Sequence, residues 1–150
     1  MDYVGMYVDV ENLTDVAMEA IIHVFEQWPE ELPRPRMLRL YVRADQVELW
    51  RFWATERRLS PDIQVVGVQH YTLKGSKNSA DIALALDAIT DLLKGRTTYA
   101  AVLSDDSDFA TLFIKITQEV PRLDGGKSPF IWFLTDRSDT RSPILIQTTK

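Results

Sequence analysis

Short apolar runs alternate along the chain with stretches in which apolar residues recur at helical spacing. The apolar runs are bounded by polar or turn-forming residues, and they predict buried strands at 3–8, 37–42, 63–68, 99–103 and 130–134. The stretches with a 3.6-residue period predict helices at 12–28, 45–58, 80–94 and 109–119. Strands that alternate with helices indicate right-handed crossovers. We therefore predict a three-layer α/β/α sandwich with a central, mainly parallel sheet of about five strands.

Helix caps and breakers stand at the predicted boundaries. Asp45 and Ser79 are placed to cap the second and third helices, and Gly95 to end the third. Turn-forming residues mark the other boundaries: Pro29, Pro33, Pro35, Pro61, Gly125 and Gly126.

The length of 150 residues fits one domain over 1–150. The sequence predicts no covering helix at 135–150, so we expect this stretch to be either a tail or an edge strand. A chain that is a fragment of a longer protein would also fit. The absence of cysteine excludes disulfides, a thiolate nucleophile and Cys-ligated metals. The N-terminal apolar run is interrupted by Asp9 and Glu11, and no run approaches the roughly 20 residues of a membrane helix. We expect a cytoplasmic protein without a membrane partner.

The net charge of −5 is unevenly distributed. Residues 1–33 hold eight acidic groups and no Lys or Arg, whereas residues 34–58 hold seven Arg against three acidic groups. Two interpretations stay open: a basic surface beside an acidic pocket, or a solvated arginine-rich helix face.

Carboxylates gather at the predicted carboxyl ends of the strands. Asp9 ends the first strand, and Asp105, Asp106 and Asp108 follow the fourth. Asp81 lies in the first turn of the helix after the third strand. Ligands of open parallel sheets bind at this edge, near the point where the strand order reverses.

Several carboxylates that meet in one cleft repel each other unless a cation compensates their charge. Mg²⁺ and Mn²⁺ prefer oxygen ligands, and such ions activate water and stabilise charge in phosphodiester hydrolysis. The alternative is that these residues are only helix caps and turn formers. Neither His23 nor His70 has a second His at ligand spacing, so the sequence does not indicate a zinc site.

Three segments resemble the motifs of NYN domains, the PIN-like nucleases that include the LabA-type proteins. They are YVDVENL at 7–13, KNSADIALALD at 77–87 and VLSDDSDF at 102–109. The resemblance implies a PIN-like sandwich and metal-dependent ribonuclease activity. It implies that one or two Mg²⁺ or Mn²⁺ ions are held by catalytic carboxylates at Asp9, Asp81, Asp106 and Asp108.

The same resemblance implies four supporting residues. Asn12 would orient the first aspartate or a water, and Ser104 would support the third motif. Asp87 matches the second motif, but it lies six residues beyond Asp81, which is about 600° of helical turn. The two side chains do not share a helix face, so Asp87 is assigned a supporting or capping role. Asp105 occupies a variable position of the third motif, so it is a weaker candidate metal ligand than Asp106.

The expected substrate is RNA, most simply single-stranded, with flanking phosphates held by Lys74, Lys77 and Arg43. A homodimer and an additional RNA-binding domain or partner protein stay open. One alternative hypothesis is an aspartyl phosphatase with Asp9 as nucleophile and Asp106 as metal ligand, although Glu11 occupies the position where that class of enzyme has a second aspartate. The other rival is a non-catalytic module that binds RNA or protein.

Overall fold

The computed structural model describes residues 2–68, 79–120, 128–135 and 144–146. Six strands form one sheet: β1 (Val4–Asp9), β2 (Pro35–Arg43), β3 (Asp62–Val68), β4 (Tyr99–Leu103), β5 (Phe130–Leu134) and β6 (Ile144–Ile146). Five helices accompany them: α1 (Val10–Leu13), α2 (Ala17–Glu26), α3 (Val47–Arg57), α4 (Ser79–Leu93) and α5 (Phe109–Glu119). None of the helices in these ranges is long and apolar enough to cross a membrane.

The strand order is β3-β2-β1-β4-β5-β6. The first five strands pair in parallel, and β6 pairs antiparallel with β5 at one edge. The order reverses between β1 and β4, because the chain first moves outward through β2 and β3 and then returns past β1. The predicted α/β sandwich with a mainly parallel central sheet is confirmed, and its switch point lies where β1 and β4 end.

Helices cover both faces of the sheet, as side-chain alternation along the strands requires. Met6 and Val8 of β1 face the layer that contains α1, α2 and α3. Tyr7, between them, faces the layer formed by α4 and α5, where it is fully buried with Leu84 and Ile116. Both faces of β1 are therefore apolar, which explains its uninterrupted run of buried residues.

The first predicted helix is not continuous, and the prediction was wrong in this respect. Helix α1 begins at Val10, directly after the strand, and a 3₁₀ turn at Thr14–Val16 separates it from α2. Thr14 has a φ of 56°, a backbone conformation outside the helical region. The break lets α1 stay against the end of β1 while α2 follows the sheet.

The cap predicted for the second helix is also wrong. Gln46, rather than Asp45, is the residue that precedes α3, and the Gln46 side chain makes no capping hydrogen bond. The Asp45 carboxylate instead accepts two hydrogen bonds from the Arg43 guanidinium, at 3.1 and 2.8 Å. Two further predictions, the Ser79 side-chain cap and the turn at Gly125 and Gly126, lie outside the described residues and side chains.

Candidate metal centre

The site is built on the last residue of β1. Asp9 is 1% exposed, and its position after a buried strand brings a carboxylate to the edge of the hydrophobic core. One carboxylate oxygen accepts a hydrogen bond from the Asn12 backbone N–H at 3.3 Å, as expected of an aspartate that caps α1. The capping interpretation is therefore correct for this oxygen, and the second carboxylate oxygen has a different partner.

The other Asp9 oxygen lies 3.3 Å from the hydroxyl of Ser104, the residue that follows β4. The same hydroxyl lies 3.3 Å from the Asn12 side-chain oxygen and accepts a hydrogen bond from the Asp106 N–H at 3.1 Å. The Asn12 oxygen also accepts a bond from the Asp105 N–H at 2.8 Å. Ser104 and Asn12 thus connect the ends of β1 and β4, which are neighbours in the sheet.

A further hydrogen bond holds Ser104 from the opposite side. The indole N–H of Trp132 in β5 donates to the Ser104 carbonyl at 2.9 Å. Ser104 is fully buried, so its backbone and hydroxyl are both held by protein groups. The loop after β4 is consequently fixed to two strands before it reaches Asp106.

Three of the predicted carboxylates converge. Asp9, Asp81 and Asp106 each place one carboxylate oxygen within 4.8 Å of the others. Asp81 comes from the first turn of α4, while the other two come from the ends of β1 and β4. The cleft around them has a volume of about 530 Å³, and its remaining lining residues are Glu11, Asn12, Asp105 and Ser107.

The crowding of these acids changes their proton affinity. Burial, followed by the charge of Asp81, raises the pKa of Asp9 from 3.8 to about 7, against the lowering effect of its hydrogen bonds. Burial, followed by a hydrogen bond with Asp106, raises the pKa of Asp81 from 3.8 to about 6. At neutral pH the cluster therefore holds negative charge at a high cost in free energy.

The donor set fits a hard divalent cation. Three carboxylate oxygens from three separate segments lie within 4.8 Å of one another, and oxygen donors are those that Mg²⁺ and Mn²⁺ select. Within the described ranges, no Lys or Arg forms an ion pair with Asp9, Asp81 or Asp106. A bound cation would supply the positive charge that no ion pair among the described side chains supplies to these three carboxylates.

The structure does not bring Asp108 into this cluster. Its backbone N–H donates to the Asp106 carboxylate at 2.9 Å, and its side chain is exposed. Its charge still acts on the nearby Asp81 carboxyl and contributes to the raised pKa there. Asp108 therefore lies beside the three converging carboxylates rather than among them.

Asp105 and Asp87 point to other partners. The Asp105 carboxylate accepts hydrogen bonds from the backbone N–H and the hydroxyl of Thr135, just beyond β5, the former at 2.7 Å. The Asp87 carboxylate accepts a bond from the Tyr41 hydroxyl of β2 at 2.7 Å. The first stabilises the loop after β4, and the second attaches α4 to the sheet.

The predicted phosphate contacts are only partly described. Lys74 and Lys77 lie outside the described residues. Arg43 ends β2, forms its bidentate pair with Asp45 and lines a second cleft of about 510 Å³. Glu11 lines both this cleft and the acidic one, so the two are adjacent.

The arginine-rich segment does not form one basic surface. The Arg34 guanidinium donates to the Phe25 carbonyl at 3.1 Å, whereas Arg36 lies over the Tyr3 ring. Arg39 reaches into the opposite layer and pairs with a buried carboxylate. Arg51, Arg57 and Arg58, at α3, are exposed, as the alternative of a solvated arginine-rich helix face expects.

The sequence interpretation missed a buried network that anchors α4. Asp91 is fully buried and accepts bonds from the Tyr7 hydroxyl at 2.7 Å and from Arg39 at 2.9 Å. Arg96 also pairs with it, at 3.2 Å. The available signal was its spacing, since Asp87 and Asp91 are four residues apart and occupy the sheet-facing side of the helix. The missed Glu11 had a clearer signal, because it lies inside the first motif.

A comparison with protein-family models gives one match, to the NYN domain over residues 3–120. No curated protein and no solved structure gives a significant match. Because the match covers most of the chain, the protein belongs to the NYN domain family. NYN domains are part of the PIN-like nuclease superfamily, which agrees with the sandwich and with the acidic cluster at its switch point.

Proposed function

We propose that this protein is a metal-dependent ribonuclease that hydrolyses phosphodiester bonds of single-stranded RNA. The observation that carries the proposal is the convergence of Asp9, Asp81 and Asp106 at the switch point of a chain that belongs to the NYN family. Convergent carboxylates in an open cleft at the carboxyl ends of parallel strands suit a cation that contacts a phosphate.

When bound, Mg²⁺ or Mn²⁺ would lower the pKa of a water and stabilise the charge that develops on the phosphate. The protein's own part is to hold the ligands in place before substrate arrives. Ser104 and Asn12 restrict the Asp9 carboxylate from two sides, and α4 presents Asp81 from a helix attached to the sheet. Such preorganisation reduces the rearrangement needed during the reaction.

Substrate contacts in this proposal come from residues around the cleft. Arg43 would exchange its exposed carboxylate partner for a phosphate, which costs little because exposed ion pairs are weak. Lys74 and Lys77 stay proposed phosphate contacts from the sequence. Asp108 would act at the edge of the site through its charge rather than as a ligand of the same cation.

The test is cleavage of a labelled single-stranded RNA by the purified protein in Mg²⁺ or Mn²⁺, with EDTA as the metal-free arm. Asp106→Asn should abolish cleavage and weaken Mn²⁺ binding, because it removes one negative charge and replaces a carboxylate oxygen with an amide nitrogen. Asp62→Asn, a loss of one exposed charge at the start of β3, is the matched control and should cleave like the wild type. Asp108→Asn should retain Mn²⁺ affinity.

Two outcomes would contradict the proposal. Cleavage that persists in EDTA or in Asp106→Asn would place the activity elsewhere or in a contaminant. Metal binding without cleavage of RNA would favour the binding module, and a labelled phospho-aspartate at Asp9 would favour the phosphatase.

A further inference from the structure

An apolar groove lies between α4 and α5 and adjoins the acidic cleft, with which it shares Asp81. Its floor is formed by Ala85, Phe109 and Leu112, and its volume is about 370 Å³. Ile82 and Ile89 form the wall on the α4 side, and Ile82 is 60% exposed. An exposed apolar concavity of this kind is usually a site of binding.

The two ends of the groove carry opposite charges. At one end are the carboxylates of Asp81 and Asp108, the former shared with the acidic cleft. At the other end is Lys115, seven residues beyond Asp108 and therefore about 10 Å further along α5. Lys115 pairs with Glu119 at 3.3 Å, and both side chains are more than half exposed, so the pair exchanges partners easily.

The Asp108 carboxylate is available as an acceptor at the mouth of the groove. It precedes α5 but makes no side-chain hydrogen bond to the first turn of that helix. Its backbone N–H bonds to the Asp106 carboxylate, and its side chain lines the groove together with Asp81, so it lies beside the proposed cation site. A hydroxyl or an amino group entering the groove from the cleft would meet this carboxylate first.

We infer that the groove between α4 and α5 binds the nucleotide next to the scissile phosphate. This inference rests on the proposed ribonuclease function and extends the same site. The nucleobase lies on the apolar floor, a ribose hydroxyl or base amino group donates to Asp108, and the next phosphate along the strand binds Lys115. Charge and polarity along the groove match a single-stranded nucleotide in that order, and apolar contact with a base is tolerant of sequence.

A second copy of the chain is the competing occupant of this face. Ile82 and Leu86 on α4 are exposed, as is Ile114 on α5, and such a surface also suits protein contact. The nucleotide is favoured because the groove is concave and continuous with the carboxylate cleft. Leu86 and Ile114, the residues that would favour a protein partner, are not among those that line it.

The experiment measures binding of a short fluorescent oligouridylate by anisotropy, with Ca²⁺ in place of Mg²⁺ and the probe checked for integrity on a gel. Lys115→Ala removes the phosphate contact, and Lys94→Ala, an exposed lysine at the end of α4, is its control. Thr111→Glu adds a negative charge on the exposed side of the groove, and Gln118→Glu adds the same charge further along α5.

The expected result is weaker binding for both groove variants and wild-type binding for both controls. Lys115→Ala should also reduce the slope of log Kd against log salt by about 0.7 to 1, the effect of one lost phosphate contact. Thr111→Glu should weaken binding about tenfold or more, because it places a charge beside the path of the phosphates. Neither variant should change Mn²⁺ affinity by more than about twofold, since neither residue is among the converging carboxylates.

The outcomes separate this inference from the proposed function. Metal-dependent cleavage with unchanged RNA affinity in both groove variants would overturn the inference that the groove binds a nucleotide, and it would still support the ribonuclease proposal. Weaker RNA binding in both groove variants, by a protein that never cleaves RNA, would support the groove and contradict the ribonuclease proposal. A concentration-dependent doubling of mass that Thr111→Glu abolishes, with RNA affinity unaffected, would assign the groove to a second copy and overturn the inference.

Discussion

Replacement of Asp9 by asparagine is expected to stabilise the metal-free protein at neutral and alkaline pH. The pKa of Asp9 rises from 3.8 to about 7 because the carboxyl is buried and faces Asp81. In the folded state this carboxyl therefore holds its proton up to about pH 7, whereas in the unfolded chain it loses the proton near pH 4. The stability contributed by that proton is present below about pH 4 and is lost as the pH rises to about 7.

The magnitude follows from the size of the shift. A difference of about three units between the two states corresponds to about 4 kcal/mol at most, at 1.36 kcal/mol per unit. Between about pH 5 and pH 8, wild-type protein in EDTA should lose about 3 kcal/mol of unfolding free energy through this group. Asp9→Asn carries no charge there and should not show this loss.

Asparagine also preserves the local hydrogen bonds, which alanine would not. Its side-chain oxygen can accept from the Asn12 N–H as Asp9 does now. Its amide can donate to the Ser104 hydroxyl oxygen, while that hydroxyl donates to the Asn12 side-chain oxygen, which lies 3.3 Å away. No buried polar group then loses its partner, so the change in charge is the main effect.

The assay is urea unfolding followed by tryptophan fluorescence, in EDTA, at about pH 5 and pH 8, where linkage predicts the largest contrast. Asp62→Asn is the control for loss of an exposed carboxylate. Saturating Mn²⁺ should restore the stability of the wild type at the higher pH and should do so much less for Asp9→Asn. Wild-type stability that is equal at both pH values in EDTA, or an Asp9→Asn protein that is the less stable at pH 8, would refute the reasoning.

Two further predictions concern the groups behind the site. Ser104→Ala should lower the free energy of unfolding by about 1–3 kcal/mol, because it leaves the buried Asp9 carboxylate and the Asp106 N–H short of a partner. It should also weaken Mn²⁺ binding. Urea unfolding measures the first effect, and metal titration measures the second. Asp91→Ala should cost about 3–5 kcal/mol, because it leaves the largely buried Arg39 guanidinium unpaired. Loss of the exposed Asp45 partner in Asp45→Ala should cost less than about 1 kcal/mol, and equal costs for these two aspartates would contradict the burial argument.

Strand and helix positions follow from local patterns, and most could be predicted. β4 and α5 lie where the apolar runs place them, because a buried parallel strand is apolar on both faces and an amphipathic helix has one apolar stripe. The errors occur where a tertiary contact competes with a local preference. Gln46 rather than Asp45 precedes α3, Asp45 pairs with a neighbouring arginine, and a turn at Thr14 divides the first predicted helix.

The candidate site was predictable as a set of acidic residues at one edge of the sheet, but not as a geometry. Asp9 and Asp106 meet because β1 and β4 are neighbours, and strand order is a property of the whole fold. Asp108 is only two residues from Asp106, yet the turn into α5 carries it out of the cluster. Spacing along the chain does not determine which way such a turn points.

The sequence by itself determined the alternation of strands and helices, the carboxylates at the strand ends and the motifs that identify an NYN domain, because each depends on residues close together in the chain. Only the tertiary structure decided which carboxylates converge, how the arginines of β2 divide between two faces and which aspartates anchor α4. Those outcomes depend on strand order and on packing between residues as far apart as Tyr7 and Asp91. Contacts of that kind form when buried groups from distant segments must satisfy each other's charge and hydrogen bonds.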